Sequence, residues 1–399
     1  MIMAIAVGAE LLAVAKDGNN QKKSETISSS IDTAIVDAST SILKFSPLGD
    51  DSAKVTGYKE ENPTAIDIPS KVKIDGKVYK VTSIGEWVFK NCSSLTSVYI
   101  PESVTNIGDG AFEDCRSLTS ITIPKGVTSI GYQAFRDCRS LTSIKIPKGV
   151  TKIGDGAFEG CSSLKSIKIP EGVTSIGDMA FAGCSSLTSI KIPEGVTSIE
   201  YNTFVRCSLL TSITIPKGVT SIGEGAFSKC ISLSSIKIPK GVTSIGKGAF
   251  AECISLSSIN IPKGVTSIEY MAFSKCSSLK DINIHEGVTS IGEGAFLECI
   301  LLSNITIPKG MTSIGEGAFA GCGSLTSITI PKGMTNIEEG AFAGCGSLTS
   351  ITIPESVTII GNMAFKKCKN LDVVIDNKEQ NVEIGYDAFD DCKSVKFLK

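Results

Sequence analysis

Histidine is nearly missing from this chain of 399 residues, which carries His285 alone. A zinc site needs several His, Cys or carboxylate ligands converging on one point, and a serine triad needs a histidine base. His285 occupies a position where neighbouring segments carry Pro262 and Pro308, so it reads as a turn residue. No C-x-x-C pair occurs, and Gly108-Asp109-Gly110 belongs to a repeated turn, not to a phosphate-cradling loop. Charge of neither sign prevails, with 39 Lys+Arg against 41 Asp+Glu. A net charge of −2 gives no whole-chain attraction to nucleic acid or to an acidic membrane. The apolar run at residues 1–15 falls short of the ~20 residues of a membrane span. These absences call for no metal, no cofactor and no nucleic-acid partner, and they argue against an enzyme. The enzymatic reading that remains is an active site without a recognisable motif in residues 16–60.

What the chain has in quantity is repetition. Its 14 cysteines form one column: Cys92 through Cys368 stand 23 residues apart, and Cys392 follows after 24. A phenylalanine column runs three residues ahead, from Phe89 through Phe365, with Phe389 in the last unit. A unit this small cannot bury a core alone, so neighbours must stack. In "LTSITIPKGVTSIGYQAFRDC", Leu118 to Cys138, Ile121 and Ile123 alternate with Ser120 and Thr122 at the strand period of two. Pro124 has no N–H and ends the ladder, and Ile123-Pro124-Lys125-Gly126 suits a type I turn. Val127 and Ile130 point inward from a second extended piece, and Ala134 and Phe135 pack from a short helical turn. Leu118, Ile121, Ile123, Val127, Ile130, Ala134, Phe135 and Cys138 form the predicted core of one coil.

Stacking places like strands side by side, parallel and in register at ~4.8 Å. The expected architecture is a repeat solenoid of 23-residue coils. A parallel β-sheet lines its concave face, with short helical turns and extended segments on the convex face. The cysteines sit in the apolar pattern, one per coil, and read as small buried hydrophobes.

The unit resembles the leucine-rich repeat family in its BspA-like, or Treponema-type, bacterial branch, with motif C-x-x-L-x-x-I-x-I-P-x-x-V-x-x-I-G-x-x-A-F. Here it reads Cys184, Leu187, Ile190, Ile192, Pro193, Val196, Ile199 and Phe204, with Glu200 for the glycine and Thr203 for the alanine. The resemblance covers about Ile66 to Lys399. It implies a non-catalytic binding scaffold, secreted or held at the cell surface and adhesin-like toward host or matrix proteins. The alternative is an intracellular, cytoplasmic interaction scaffold of the same fold. Thiols do not separate the two, because buried ones survive in either compartment.

The chain divides into residues 1–40, 41–82 and 83–399. Residues 1–15, "MIMAIAVGAELLAVA", read either as a secretory signal or as a short docked helix, and 16–40 as a flexible polar segment. Residues 41–82 read as an N-terminal β-hairpin cap, with turns at Pro47–Asp51 and Asp75-Gly76. Residues 83–399 are the solenoid, ending in "KSVKFLK" partway into a strand.

Binding in such a fold falls to residues that vary on a constant frame. The outward strand column reads Tyr99, Thr122, Lys145, Lys168, Lys191, Thr214, Lys237, Asn260, Asn283, Thr306, Thr329 and Thr352. The expected surface is therefore Tyr99, Lys145, Lys168, Lys191, Lys237, Asn260 and Asn283 on the concave face. An acidic protein segment or a sulfated glycan fits it. The plainer reading is a solvated strand face whose charges blunt aggregation. Tyr132, Tyr201 and Tyr270, and likewise Glu200, Glu269 and Glu338, recur every three coils and read as a trace of block duplication.

Overall fold

A computed structural model describes residues 34–399. The signal-or-helix expectation for residues 1–15 lies outside the described residues. The core column behaves as the sequence pattern requires. Leu118, Val127, Ala134, Phe135 and Cys138 are fully buried, and Ile121, Ile123 and Ile130 nearly so; the other central coils repeat this, except that Ile213 is partly buried and Thr203 stands for the alanine. One continuous apolar core runs from Leu43 to Ala388.

Each coil has three sides. The first carries the predicted strand, as in Ser120–Thr122, Ser143–Lys145, Ser166–Lys168, Ser189–Lys191 and Ser212–Thr214, which pair in parallel as one sheet. The turn that follows starts one residue later than the proline pattern suggests, closed by Val127 N–H donating to the Pro124 carbonyl at 3.2 Å. Ile121 and Ile123 both face the core, so extended geometry persists through Ile123 and the proline becomes the first residue of the turn. The second side carries two-residue strands such as Ser129–Ile130 and Lys152–Ile153.

The third side holds turns where short helical turns were expected. Gln133, Phe135 and Asp137 donate to the next coil, to Asp155, Ala157 and Glu159 carbonyls at 2.9, 2.9 and 2.7 Å. The alternate amides of Arg136 and Cys138 donate three residues back. Gln133 and Asp137 have φ of +50° and +55°, and these left-handed residues stop each turn from propagating as a helix. Among the described residues the one regular helix is a 3-10 turn at Glu379–Asn381.

The cysteines do more than fill space. From Cys115 onward each Sγ donates to the carbonyl of the preceding coil's phenylalanine, as Cys138 does to Phe112 at 3.2 Å and Cys230 to Phe204 at 3.2 Å. The column is thus an inter-coil hydrogen-bond ladder inside the core. All fourteen are free thiols.

At the N-terminal end β1 (Ile35–Asp37), β2 (Leu43–Pro47), β3 (Ser52–Tyr58), β4 (Ala65–Asp67), β5 (Lys71–Ile74) and β6 (Lys77–Ile84) precede the regular coils. β2 and β3 pair antiparallel, as do β5 and β6 around Asp75 and Gly76, whose φ of +47° and +84° suit a type I′ turn. β1, within the stretch expected to be flexible, pairs with β5. β6 starts the second-side ladder by pairing with Asn106–Ile107, and β3 lies along its outer edge. The exposed edge of the stack is thereby covered. At the other end Ser394–Phe397 pairs with Asp372–Ile375.

Candidate binding surface

The strand face positions its side chains by alternation alone: Ile144 is buried, and Ser143 and Lys145 on either side are exposed. Lys145 and Lys168 are register partners on adjacent strands, and Lys191 is on the next strand of the same sheet. Lys237 departs from the expected row. Its coil forms no strand there, only an isolated bridge from Ser235 to Ser258. Tyr99 is half-buried on Ser97–Tyr99, which pairs with β4 but not with the lysine sheet. Asn260 and Asn283 are register partners in a separate three-stranded sheet. The seven expected residues therefore share a side of the solenoid but fall in three ladder segments and one gap.

The variable residue of each Pro-x-Gly turn also matters, and it lies outside the strand column. Glu171 Oε1 accepts from Lys191 Nζ at 2.8 Å. The pairing raises the lysine pKa and lowers that of Glu171, with Glu194 adding to the effect on Lys191. Both partners are exposed, so the bridge adds little stability. It does subtract charge from the lysine row. Lys125 and Lys148 occupy the same turn position beside the first strands, so the positive end of the surface lies toward Lys145. The turn position is offset by a constant interval from the strand column, which is the sequence signal for it.

Two other features stand on the turn side. Trp87 lies across Gly110, where a Cβ would come within 1.7 Å of the ring, and meets Tyr132 edge-on at 6.2 Å. Lys90 Nζ sits 4.7 Å from the Trp87 ring. Nearby, the buried Glu113 is bridged by Lys90 at 2.9 Å and by Arg136 at 3.6 Å. Further along, Gly160 and Gly183 take left-handed positions filled by longer residues elsewhere, leaving a groove of about 410 Å³ between Met179, Val205, Arg206 and Lys229.

His285 takes part in its turn: Nδ1 accepts from Gly287 N–H at 3.0 Å, which leaves Nε2 to donate to the Pro262 carbonyl at 2.9 Å. Among the described residues no group of His, Cys, Asp and Glu is placed to hold a metal ion, and no helix is long and apolar enough to cross a membrane.

Residues 82–211, 197–308 and 289–399 match the BspA type leucine rich repeat region. A leucine-rich cell surface protein from Faecalibacterium prausnitzii A2-165 is 35% identical over 85% of this chain and 94% of its own, with a TM-score of 0.56. A leucine-rich repeat protein from Bacteroides ovatus is 30% identical over 84% of this chain and 98% of its own, with a TM-score of 0.59. The pneumococcal vaccine antigen PcpA shares the fold at 19% identity, covering 86% of this chain and 96% of its own, with a TM-score of 0.57. No curated protein matches.

Proposed function

Because this chain belongs to the BspA-type leucine-rich repeat family, we propose that it is a secreted or cell-surface binding scaffold, adhesin-like and non-catalytic. Its strand face engages an acidic protein segment or a sulfated glycan. The observation that carries the reading is the lysine row: Lys145 and Lys168 in register, with Lys191 beside them, on a face otherwise of serine and threonine. Strand spacing of ~4.8 Å sets these ammonium groups at a pitch that an extended polyanion can follow. Lys237, Asn260, Asn283 and Tyr99 extend the contact outward. Empty, the row costs little, since exposed charges are screened over ~8–10 Å at ordinary salt.

The test is binding of the full chain and of a K145S/K168S/K191S/K237S variant to immobilised heparin and to a polyglutamate peptide. Wild type should bind one of them, more weakly as salt rises and with the loss concentrated in on-rate for the variant. Unchanged affinity in a folded variant would remove the lysines from the site. Surface biotinylation of the native host cell tests the location, and failure to label the protein on intact cells would refute it.

A further inference from the structure

The three-coil period in the sequence coincides with breaks in the strand ladders. On the second side the strands group as β6 with Asn106–Ile107; then Ser129–Ile130, Lys152–Ile153 and Ser175–Ile176; then Ser198–Ile199, Ser221–Ile222 and Ser244–Ile245; then Ser267–Ile268, Ser290–Ile291 and Ser313–Ile314; then Asn336–Ile337 onward. Each of the last three groups begins immediately before a glutamate: Glu200, Glu269 or Glu338.

At the Glu200, Glu269 and Glu338 steps the cause is steric; the step from Ile107 to Ser129 stands open with Gly131 in place, where an added Cβ would lie 3.3 Å from the nearest backbone atom of Asp109. Most other coils have glycine at this position, pressed against the backbone of the coil before. A Cβ at Gly223 would meet the Glu200 carbonyl carbon at 2.7 Å, one at Gly246 the Glu224 nitrogen at 2.6 Å, and one at Gly315 the Glu293 nitrogen at 2.4 Å. No real Cβ tolerates such contacts, so a coil with glutamate must stand off. Gly223 N–H reaches the Ile199 carbonyl at 2.7 Å and Gly292 N–H that of Ile268 at 2.7 Å, whereas Glu200, Glu269 and Glu338, and Gly131 at the open step before them, make no such bond. The displaced carboxylates turn back on their own coils, Glu269 accepting from Ser267 Oγ at 2.6 Å and Glu200 from Ser198 Oγ.

First-side pairing is thin at the same boundaries, and it also lapses within a block, from Ser212–Thr214 to the next coil. Between Ser166 and Ser189 one register pair remains, at Ser235–Ser258 an isolated bridge, and from Asn304–Ile305 to the next coil no strand pairing. At that last boundary a gap of about 230 Å³ opens between Asn304–Ile307 and Ser327–Thr329. The turn side is unbroken throughout: Gly248 N–H to Tyr270 at 2.8 Å, Phe250 N–H to Ala272 at 2.9 Å, and Phe250 stacked on Phe273 at 5.5 Å.

We propose that these three boundaries are hinges, unpaired on the second side, thinly paired on the first, and held by the turn side and the phenylalanine column. The solenoid flexes in three-coil blocks, and flexing changes the spacing of the binding face without unstacking the core. Coupling to partner binding is a consequence of the hinges and not a premise. Across the first hinge Asp178 Oδ1 accepts from Tyr201 N–H at 3.1 Å, whereas Lys247 and Glu316 hold that position at the other two hinges.

Amide hydrogen exchange on the full chain tests this. After correction for intrinsic rates, residues 266–269 should exchange roughly fivefold to tenfold faster than 289–292, the factor that one backbone hydrogen bond is worth. Glu269→Gly should bring 266–269 to the rate of 289–292 and leave 197–200 and 335–338 unchanged. Equal rates in the wild type would overturn the proposal, as would a folded Glu269→Gly variant with unchanged exchange. Should the variant not fold, the wild-type comparison decides alone.

Discussion

Tyr58 of β3 lies face to face with Phe89, ring centroids 6.0 Å apart and planes within 20°. Phe89 stacks in turn on Phe112 at 5.3 Å, and the column continues to Phe389. The cap thus supplies the next ring where the repeat has none. Its hydroxyl also hydrogen-bonds Cys92, the first thiol of the column, whereas Cys115 onward each donate to a preceding phenylalanine carbonyl.

Tyr58→Ala should destabilise the N-terminal coils by ~3–4 kcal/mol through the cavity it leaves, and Tyr58→Phe by only ~1 kcal/mol through the lost hydroxyl. Chemical denaturation gives the totals, and hydrogen exchange should place the added fraying in the coils next to the cap. Equal losses for the two variants would contradict the stacking role.

Native protein should expose few reactive thiols, and denatured protein all 14. Burial raises every cysteine in the column, with Cys207, Cys299 and Cys368 pushed up to about 12 and the half-buried Cys392 to about 11. Cys392 should therefore react first with a thiol reagent, and Cys392→Ser should remove that phase. A protein with no titratable thiol after unfolding would refute the reduced column.

The same shifts fix a pH dependence. Folded thiols titrate above the unfolded value of 9.0, so the native state holds more protons than the unfolded chain at alkaline pH. Stability is full below pH 9 and should fall as pH rises from there toward 12. Denaturation midpoints at pH 8 and pH 10.5 check it, and Cys230→Ala should reduce the slope.

Phe227→Ala should cost ~3–5 kcal/mol, because Phe227 is fully buried between Phe204 and Phe250. The loss of exchange protection should spread into both adjacent coils. Phe389→Ala should cost less, since Phe389 is only partly buried and has one neighbouring ring, Phe365. Equal and local effects would speak against a mutually supported stack.

His285→Pro should be close to neutral in thermal melting. Proline restores the column residue and stiffens the unfolded chain, by ~0.4–1 kcal/mol, against the loss of the bonds to Pro262 and Gly287. His285→Ala, with the loss and no gain, should melt lower.

The 23-residue period alone determined the solenoid, its core column and its parallel register, because stacked identical units leave each side chain one environment. Hairpin turns at Pro47–Asp51 and Asp75-Gly76 were legible for the same local reason, a requirement for left-handed backbone. What each column meets in the next coil was not legible. The sequence showed cysteine as a small hydrophobe, but its bond to a phenylalanine carbonyl depends on the inter-coil offset. Lysines 145, 168, 191 and 237 form one row in the sequence, yet Lys237 lies where the ladder lapses, and Glu171 reaches Lys191 across the turn. Glu200, Glu269 and Glu338 read as a trace of duplication until the glycine contacts of their neighbours appeared. Those contacts, of 2.4–2.8 Å from an added Cβ, exist only once coils are stacked, so only the tertiary structure decided where the stack closes tightly and where it stands open.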